Sequence, residues 1–304
     1  MKPIQPAHNV KPKQVSALLA RYRVTSGKGF RLASHDPGET GGGAIREEDG
    51  PALLQQGVQR LSELQELLFA NASWSLLCVL QAMDAAGKDG TIKHVMSGIN
   101  PQGVSVASFK APSAEDLAHD FLWRISRHLP AAGQIGIFNR SHYEDVLVAR
   151  VHPEVLARER IPPPLAGRHF WRDRMADIEA FERHLHRQGM VVCKFFLHVS
   201  KAEQKRRFLD RLDHPAKNWK FSAADIAERQ HWGAYQEAYE EAIAGTATEQ
   251  APWFVVPADH KWFARFVVVA ALVEALEALD LKPVKLPPAE LAKLAEARQR
   301  LEAE

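Results

Sequence analysis

The chain has 304 residues, 46% of them hydrophobic and 25% charged, a balance that excludes a disordered or fibrous protein and allows one large α/β domain or two ordinary ones. With 39 Lys and Arg against 37 Asp and Glu the net charge is +2, so no global field draws in a polyanion and any anion site has to be local. Cys78 and Cys193 lie in apolar runs at no metal or disulfide spacing, the N-terminus lacks a secretory apolar stretch, and the longest apolar run, Val267 to Val273, is bounded by Arg265 and Glu274; these features predict a reduced, cytoplasmic protein without a membrane span.

Residues 1–50 are rich in Pro, Gly and charge and read as an irregular extension. A domain is expected over 51–282. Its first helix is marked by Leu53, Val58, Leu61, Leu64, Leu67 and Leu68 at helical spacing. Five short apolar runs then read as buried parallel strands: 74–80, 104–109, 135–138, 191–199 and 253–256. Between them, Ser113 is expected to cap a helix over 114–129, Ser200 with Glu203 to open a second, and Ser222 with Asp225 a third that runs to Ile243. Strands alternating with helices imply an α/β fold with a parallel five-stranded sheet covered on both faces, which binds ligands beyond the carboxyl ends of its strands. Residues 283–304 turn through prolines into a charged helical tail.

The first strand runs straight into QAMDAAGKDGTIKHV. Strand, small-residue turn, lysine and helix is what wraps backbone N–H groups around a phosphate at a helix N-terminus. Ala85, Ala86, Gly87, Asp89, Gly90 and Thr91 form the wrap, with Gly87 and Gly90 permitting close approach and Lys88 supplying the charge. The fit to G-x-x-x-x-G-K-[ST] is incomplete, since Ala82 replaces the first glycine and Asp89 the hydroxyl residue. Asp84 offers a carboxylate for Mg²⁺ instead. Taken alone, GKDG is equally an ordinary strand-to-helix turn.

After the 135–138 strand come Asn139, Arg140, Glu144 and Asp145, where a kinase of this architecture keeps its second acid and an arginine for transition-state charge. Asp145, more than Glu144, reads as a complement to the next helix dipole. From Lys201 to Lys220 there are seven Lys or Arg and three Asp or Glu. Gln204, Arg207 and Arg211 share one helix face, with Phe208, Leu209 and Leu212 expected to anchor the other. This stretch, about 200–225, is expected to fold over the phosphate loop as a lid, although a solvated face or a nucleic-acid contact fits the charge run as well.

The segments AMDAAGKDGTIKHV, GINPQGVSVASF, FNRSHYEDVLVARV, KFFLHVSKAEQKRRFLDRLDHPAKNWKF and APWFVVPADHKWFAR, in that order, resemble the polyphosphate kinase 2 family over about residues 53–281. The resemblance implies a P-loop kinase-like core with a helical lid. It also implies reversible phosphoryl transfer between inorganic polyphosphate and AMP or ADP, with ATP as a nucleotide partner and Mg²⁺, or Mn²⁺ in its place. On this likeness Asp84 holds the metal and Lys88 and Arg140 contact the phosphates, while Lys93, Arg207, Arg211, Lys217 and Lys220 contact the polyanion or close the lid. Asn139, where many members have Asp, followed by SHYED, looks like the class III subgroup that phosphorylates AMP as well as ADP. There Glu144 would help handle nucleotide and metal. Members associate, so a homodimer or homotetramer is expected, with neither nucleic acid nor membrane as a partner. Two rival readings are an ATP-dependent nucleoside monophosphate kinase on the same scaffold and a non-catalytic polyanion-binding protein.

Overall fold

The computed structural model describes residues 12–43 and 45–304, the side chains of Pro12 and Lys220 excepted. Its sheet holds six strands, β1 Arg23–Val24, β2 Ser75–Ala82, β3 Val104–Ser108, β4 Ile135–Asn139, β5 Met190–His198 and β6 Trp253–Pro257, in the order β1-β6-β5-β2-β4-β3. The five strands expected from the apolar runs pair in parallel. The sixth, β1, lies antiparallel at the edge, with Arg23 opposite Phe254. β2 lies between β4 and β5 and is buried at all eight positions, which is why its sequence is a continuous apolar run and not an alternation. The chain leaves β2 towards β3 on one side and later returns to β5 on the other, so the switch in strand order falls at the end of β2.

Twelve α-helices are described: α1 Pro12–Ala20, α2 Gly50–Asn71, α3 Lys88–Val95, α4 Trp123–Ser126, α5 Glu144–Val151, α6 Pro153–Leu156, α7 Phe170–Arg187, α8 Lys201–Asp213, α9 Ala223–Glu228, α10 Trp232–Thr246, α11 Lys261–Glu277 and α12 Pro288–Glu302. One face of the sheet is covered by α1, α2 and α11, the other by α5, α7 and α10. Leu53, Val58, Leu61, Leu64 and Leu68 of α2 enter the core as their spacing predicts. The helix packs closely on α11 because position 57 is glycine: a Cβ there would stand 2.8 Å from Val269 Cγ1. Among the described residues no helix is long and apolar enough to cross a membrane.

Three segments depart from expectation. The stretch before residue 50, read as irregular, carries α1 and β1, and buries Leu18, Leu19 and Tyr22 against the α11 side of the core. The helix expected over 114–129 breaks into a 3-10 turn at Asp116–Ala118 and the short α4. Ser113 and Asp116 do cap each other reciprocally, but the Asp120 side chain then accepts from Leu122 N–H at 3.0 Å. An aspartate bonded to the backbone two residues on stabilises a turn in competition with the helix. The helix expected from Ser222 to Ile243 is likewise interrupted by a 3-10 turn at Arg229–His231.

Candidate active site

β2 ends at Ala82, and the chain turns through Met83–Gly87 into α3. Ala85 and Gly87 are both left-handed, with φ +60 and +109. Gly87 is required by its backbone angle and not by space, since an added Cβ would meet only an Arg207 nitrogen at 3.8 Å. Left-handed residues spaced this way are the form in which backbone N–H groups gather round an anion, and α3 adds its positive dipole end. Lys88 Nζ donates to the Ala82 carbonyl at 2.8 Å, folding the side chain back over the loop. Burial, and then the neighbouring Arg140, push its pKa down, against the opposing pull of Asp84, Glu144 and Asp89.

The loop after β4 comes to the same place. Asn139 Nδ2 donates to Asp89 Oδ1 at 2.8 Å, tying the end of β4 to the first turn of α3. Arg140 is left-handed at φ +64, and its guanidinium lies 3.4 Å from Asp84 and 3.2 Å from Glu144. Glu144, then Asp84, push its pKa further up, with burial opposing. Asp145 points elsewhere: it is buried 3.5 Å from Arg124, and burial pushes its pKa up to about 7. Adjacent helical residues diverge by about 100°, which separates a site-facing Glu144 from a structural Asp145.

The helix α8, expected as a lid, buries Phe208 as expected but is otherwise seated the other way round. Gln204, Arg207 and Phe208 are buried, whereas Leu209 and Leu212 are each 47% exposed. The inner face is polar because it is bonded to the phosphate loop. Gln204 Nε2 donates to the Asp84 carbonyl at 2.9 Å. Arg207 spends every guanidinium nitrogen on the protein: Nη1 on the carbonyls of Ala85 and Ala86, Nη2 on those of Ala258 and Asp259, and Nε on Glu203. Ser200 caps α8 by accepting from Glu203 N–H, but its own N–H goes to Asp259 at 2.7 Å, which frees Glu203 for Arg206 and Arg207. Further along, Arg211 lies 3.3 Å from Asp225 and Lys217 2.7 Å from Asp210. The Lys220 side chain lies outside the described residues.

These elements enclose a cavity of about 760 Å³ whose walls carry nine Lys or Arg and four Asp. Lys88, Lys93, Arg140, Arg207, Arg211 and Lys217 were expected from the sequence. Lys110, Lys261 and Arg265 were not. The first two directly follow β3 and its turn and the β6 end, so the rule that found Arg140 after β4 reaches them when applied to every strand; Arg265 lies one helical turn beyond Lys261. A second cavity of about 270 Å³ adjoins the first through Met83, Asp84, Arg140 and Asp225, and is walled by Leu147, Tyr235, Tyr239, Glu144 and Glu228. Tyr235 donates to Glu228 at 2.8 Å there. Of the residues specific to this second space, Tyr235, Tyr239 and Glu228 carried no motif.

Among the described residues no cluster of three or more His, Cys, Asp or Glu could hold a metal by itself. Asp84, a half-buried carboxylate where the two cavities meet with Glu144 across Arg140, suits an ion such as Mg²⁺, which takes one or two carboxylates and completes its shell with phosphate oxygens and water.

A central parallel strand that turns through left-handed Ala85 and Gly87 into a helix opened by Lys88, with helices on both faces of the sheet, defines a P-loop kinase-like fold. The chain belongs to the polyphosphate kinase 2 (PPK2) family, whose model it matches over residues 44–283. It is 52% identical over 250 residues to an ADP-polyphosphate phosphotransferase of Rhodopseudomonas palustris, covering 82% of this chain and 86% of the relative. It is 46% identical over 267 residues to an AMP/ADP-polyphosphate phosphotransferase of Meiothermus ruber, covering 87% and 95%. The crystal structure of polyphosphate kinase 2 from Arthrobacter aurescens superposes with a TM-score of 0.82 at 44% identity, over 96% of this chain and 99% of that one.

Proposed function

We propose that this protein moves a phosphoryl group between inorganic polyphosphate and AMP or ADP. The observation that carries the reading is the junction of two unlike cavities at Asp84 and Arg140: a large, strongly cationic one suited to a phosphate chain, and a smaller one walled by two tyrosines and a leucine and suited to a nucleoside. The larger cavity holds polyphosphate along Lys93, Lys110, Arg211, Lys217 and Lys261, with Lys88 and the amides of Ala85 to Thr91 around the phosphoryl next to be transferred. The nucleotide lies in the smaller cavity, its terminal phosphate beside Arg140, Asn139 and Glu144. A nucleotide phosphate oxygen attacks the terminal phosphorus in line, one phosphoanhydride forms as another breaks, and polyphosphate leaves shorter by one unit. The nucleophile is already anionic, so no side chain has to remove a proton. The work of Lys88 and Arg140 is to hold the two anions in line and to neutralise charge on the three equatorial oxygens. Asp84 would hold a divalent cation, Mg²⁺ or in its place Mn²⁺, which would supply further charge neutralisation. Exchange of one anhydride for another makes the reaction reversible. The ATP-dependent kinase reading leaves most of the nine cations around the larger cavity without a use. Incubating the protein with polyphosphate, Mg²⁺ and AMP or ADP, with ATP omitted, tests the proposal by the appearance of the next higher nucleotide.

A further inference from the structure

Directly behind Arg140, three successive polar side chains, Ser141, His142 and Tyr143, have no exposed surface at all. Ser141 Oγ accepts from Gln81 Nε2 on β2 at 3.0 Å and from Tyr143 N–H at 3.2 Å. The Tyr143 hydroxyl donates to Glu182 of α7 at 2.8 Å, accepts from Lys194 of β5 at 3.1 Å, and lies 2.9 Å from the Thr246 hydroxyl at the end of α10. Lys194 and Glu182 form an ion pair at 2.5 Å with 0% and 1% exposure, and Lys194 also donates to the Thr246 carbonyl at 2.7 Å. His142 Nε2 lies 3.4 Å from the same Glu182.

A wholly buried ion pair contributes little net stability compared with apolar residues of the same volume, because desolvation of both charges offsets their attraction. What it does supply is fixed geometry, since each member has few alternatives inside the core. The residue three positions before Tyr143 needs such fixing: a non-glycine residue persists in the left-handed region only where its surroundings over-determine it, and Arg140 is at φ +64.

We propose that Tyr143, clamped by the Lys194–Glu182 pair, is a positioning residue for phosphoryl transfer: it pins the Asn139–Glu144 loop so that the backbone of Arg140 stays left-handed and its guanidinium is aimed at the junction of the two cavities. The inference rests on the reading of Arg140 as the contact to the transferring phosphoryl. It assigns to Lys194, Glu182 and Tyr143 a role that none of them fulfils by touching substrate.

The test is a double-mutant cycle between Tyr143→Phe, which keeps the ring and removes one oxygen, and Arg140→Ala, with kcat and KM measured for polyphosphate and AMP. Because a reacting group displaced by about 1 Å can lose about 100-fold in rate, Tyr143→Phe should lower kcat about tenfold or more while leaving both KM values within about twofold. In the Arg140→Ala background the same substitution should have no further effect on kcat. Additive losses, or an unchanged kcat in Tyr143→Phe beside a crippled Arg140→Ala, would overturn the positioning role alone. An Arg140→Ala enzyme with full kcat would instead reject the reading of Arg140, and the inference with it. If Tyr143→Phe does not fold, the charge-free pair Glu182→Leu with Lys194→Met enters the same cycle, with the same expectations.

Discussion

The guanidinium of Arg140 stands 3.4 Å from the carboxylate of Asp84, so the arginine that follows β4 and the acid that follows β2 meet where the two cavities join. The arginine is held between Asp84 and Glu144, and on the proposed mechanism a phosphoryl and its cation would share these three side chains. Arg140→Ala should therefore lower kcat by about 10³-fold, the low end of what a transition-state arginine contributes. Asp84→Asn should instead raise the Mg²⁺ concentration needed for half-maximal rate, which a metal titration at saturating substrates measures.

Arg207 gives a different expectation from the other lid cations. Each of its nitrogens is bonded within the protein, to carbonyls of the phosphate loop and of the β6 end, so its contribution is to hold the loop against the lid helix. A lysine keeps the charge but offers three donors on one atom and cannot reach four carbonyls and a carboxylate. Arg207→Lys should consequently lose nearly as much kcat/KM as Arg207→Met, and both should unfold about 3 kcal/mol more easily by urea titration, through the carbonyls left unpaired in the interior. Full activity in Arg207→Lys would return this residue to the role of a simple polyphosphate contact.

His198, at the carboxyl end of β5, links stability to pH. Burial, and then the adjacent His35, push its pKa from 6.5 to about 4, with Asp259 and Asp36 opposing, and its Nδ1 has no hydrogen-bond partner. Below pH 6.5 the unfolded chain takes up a proton that the folded imidazole refuses until about pH 4, so stability falls across that window and is fully present above it. The loss between pH 7 and 5 attributable to this one group is about 2 kcal/mol. In urea unfolding at the two pH values, His198→Asn should lose about that much less on acidification than the unaltered protein.

β2, β4, β5 and β6 were legible because burial on both faces leaves a run of apolar residues that no surface element has, whereas β3, part-exposed at the sheet edge, was marked only by its β-branched valines. The turn after β2 and Arg140 stood out as candidates because both lie at the carboxyl ends of such apolar runs, where open α/β sheets bind ligands. Other features depend on contacts between distant segments and left no local mark. β1 is two residues long and exists only because Phe254 and Trp253 lie beside it. The face of α8 that looked like a solvent-facing clamp is its buried face, since Gln204 and Arg207 find partners on the phosphate loop more than 100 positions away in sequence, while Leu209 and Leu212 stay outside. The helix after Ser113 had the right spacing, but the side chain of Asp120 competes for the backbone within one turn. Lys194 lies within a strand read only as an apolar run, and its place there becomes intelligible only with Glu182 and Tyr143 around it.

The most direct test of the account is nucleotide conversion by the purified protein in Mg²⁺ with polyphosphate as the sole phosphoryl donor, followed by chromatography of AMP, ADP and ATP, with Lys88→Ala run in parallel. The account predicts that ADP forms from AMP, and ATP from ADP, as the polyphosphate shortens, and that the Lys88→Ala protein gives neither. Nucleotides left unchanged by polyphosphate, or conversion at an undiminished rate without Lys88, would contradict it.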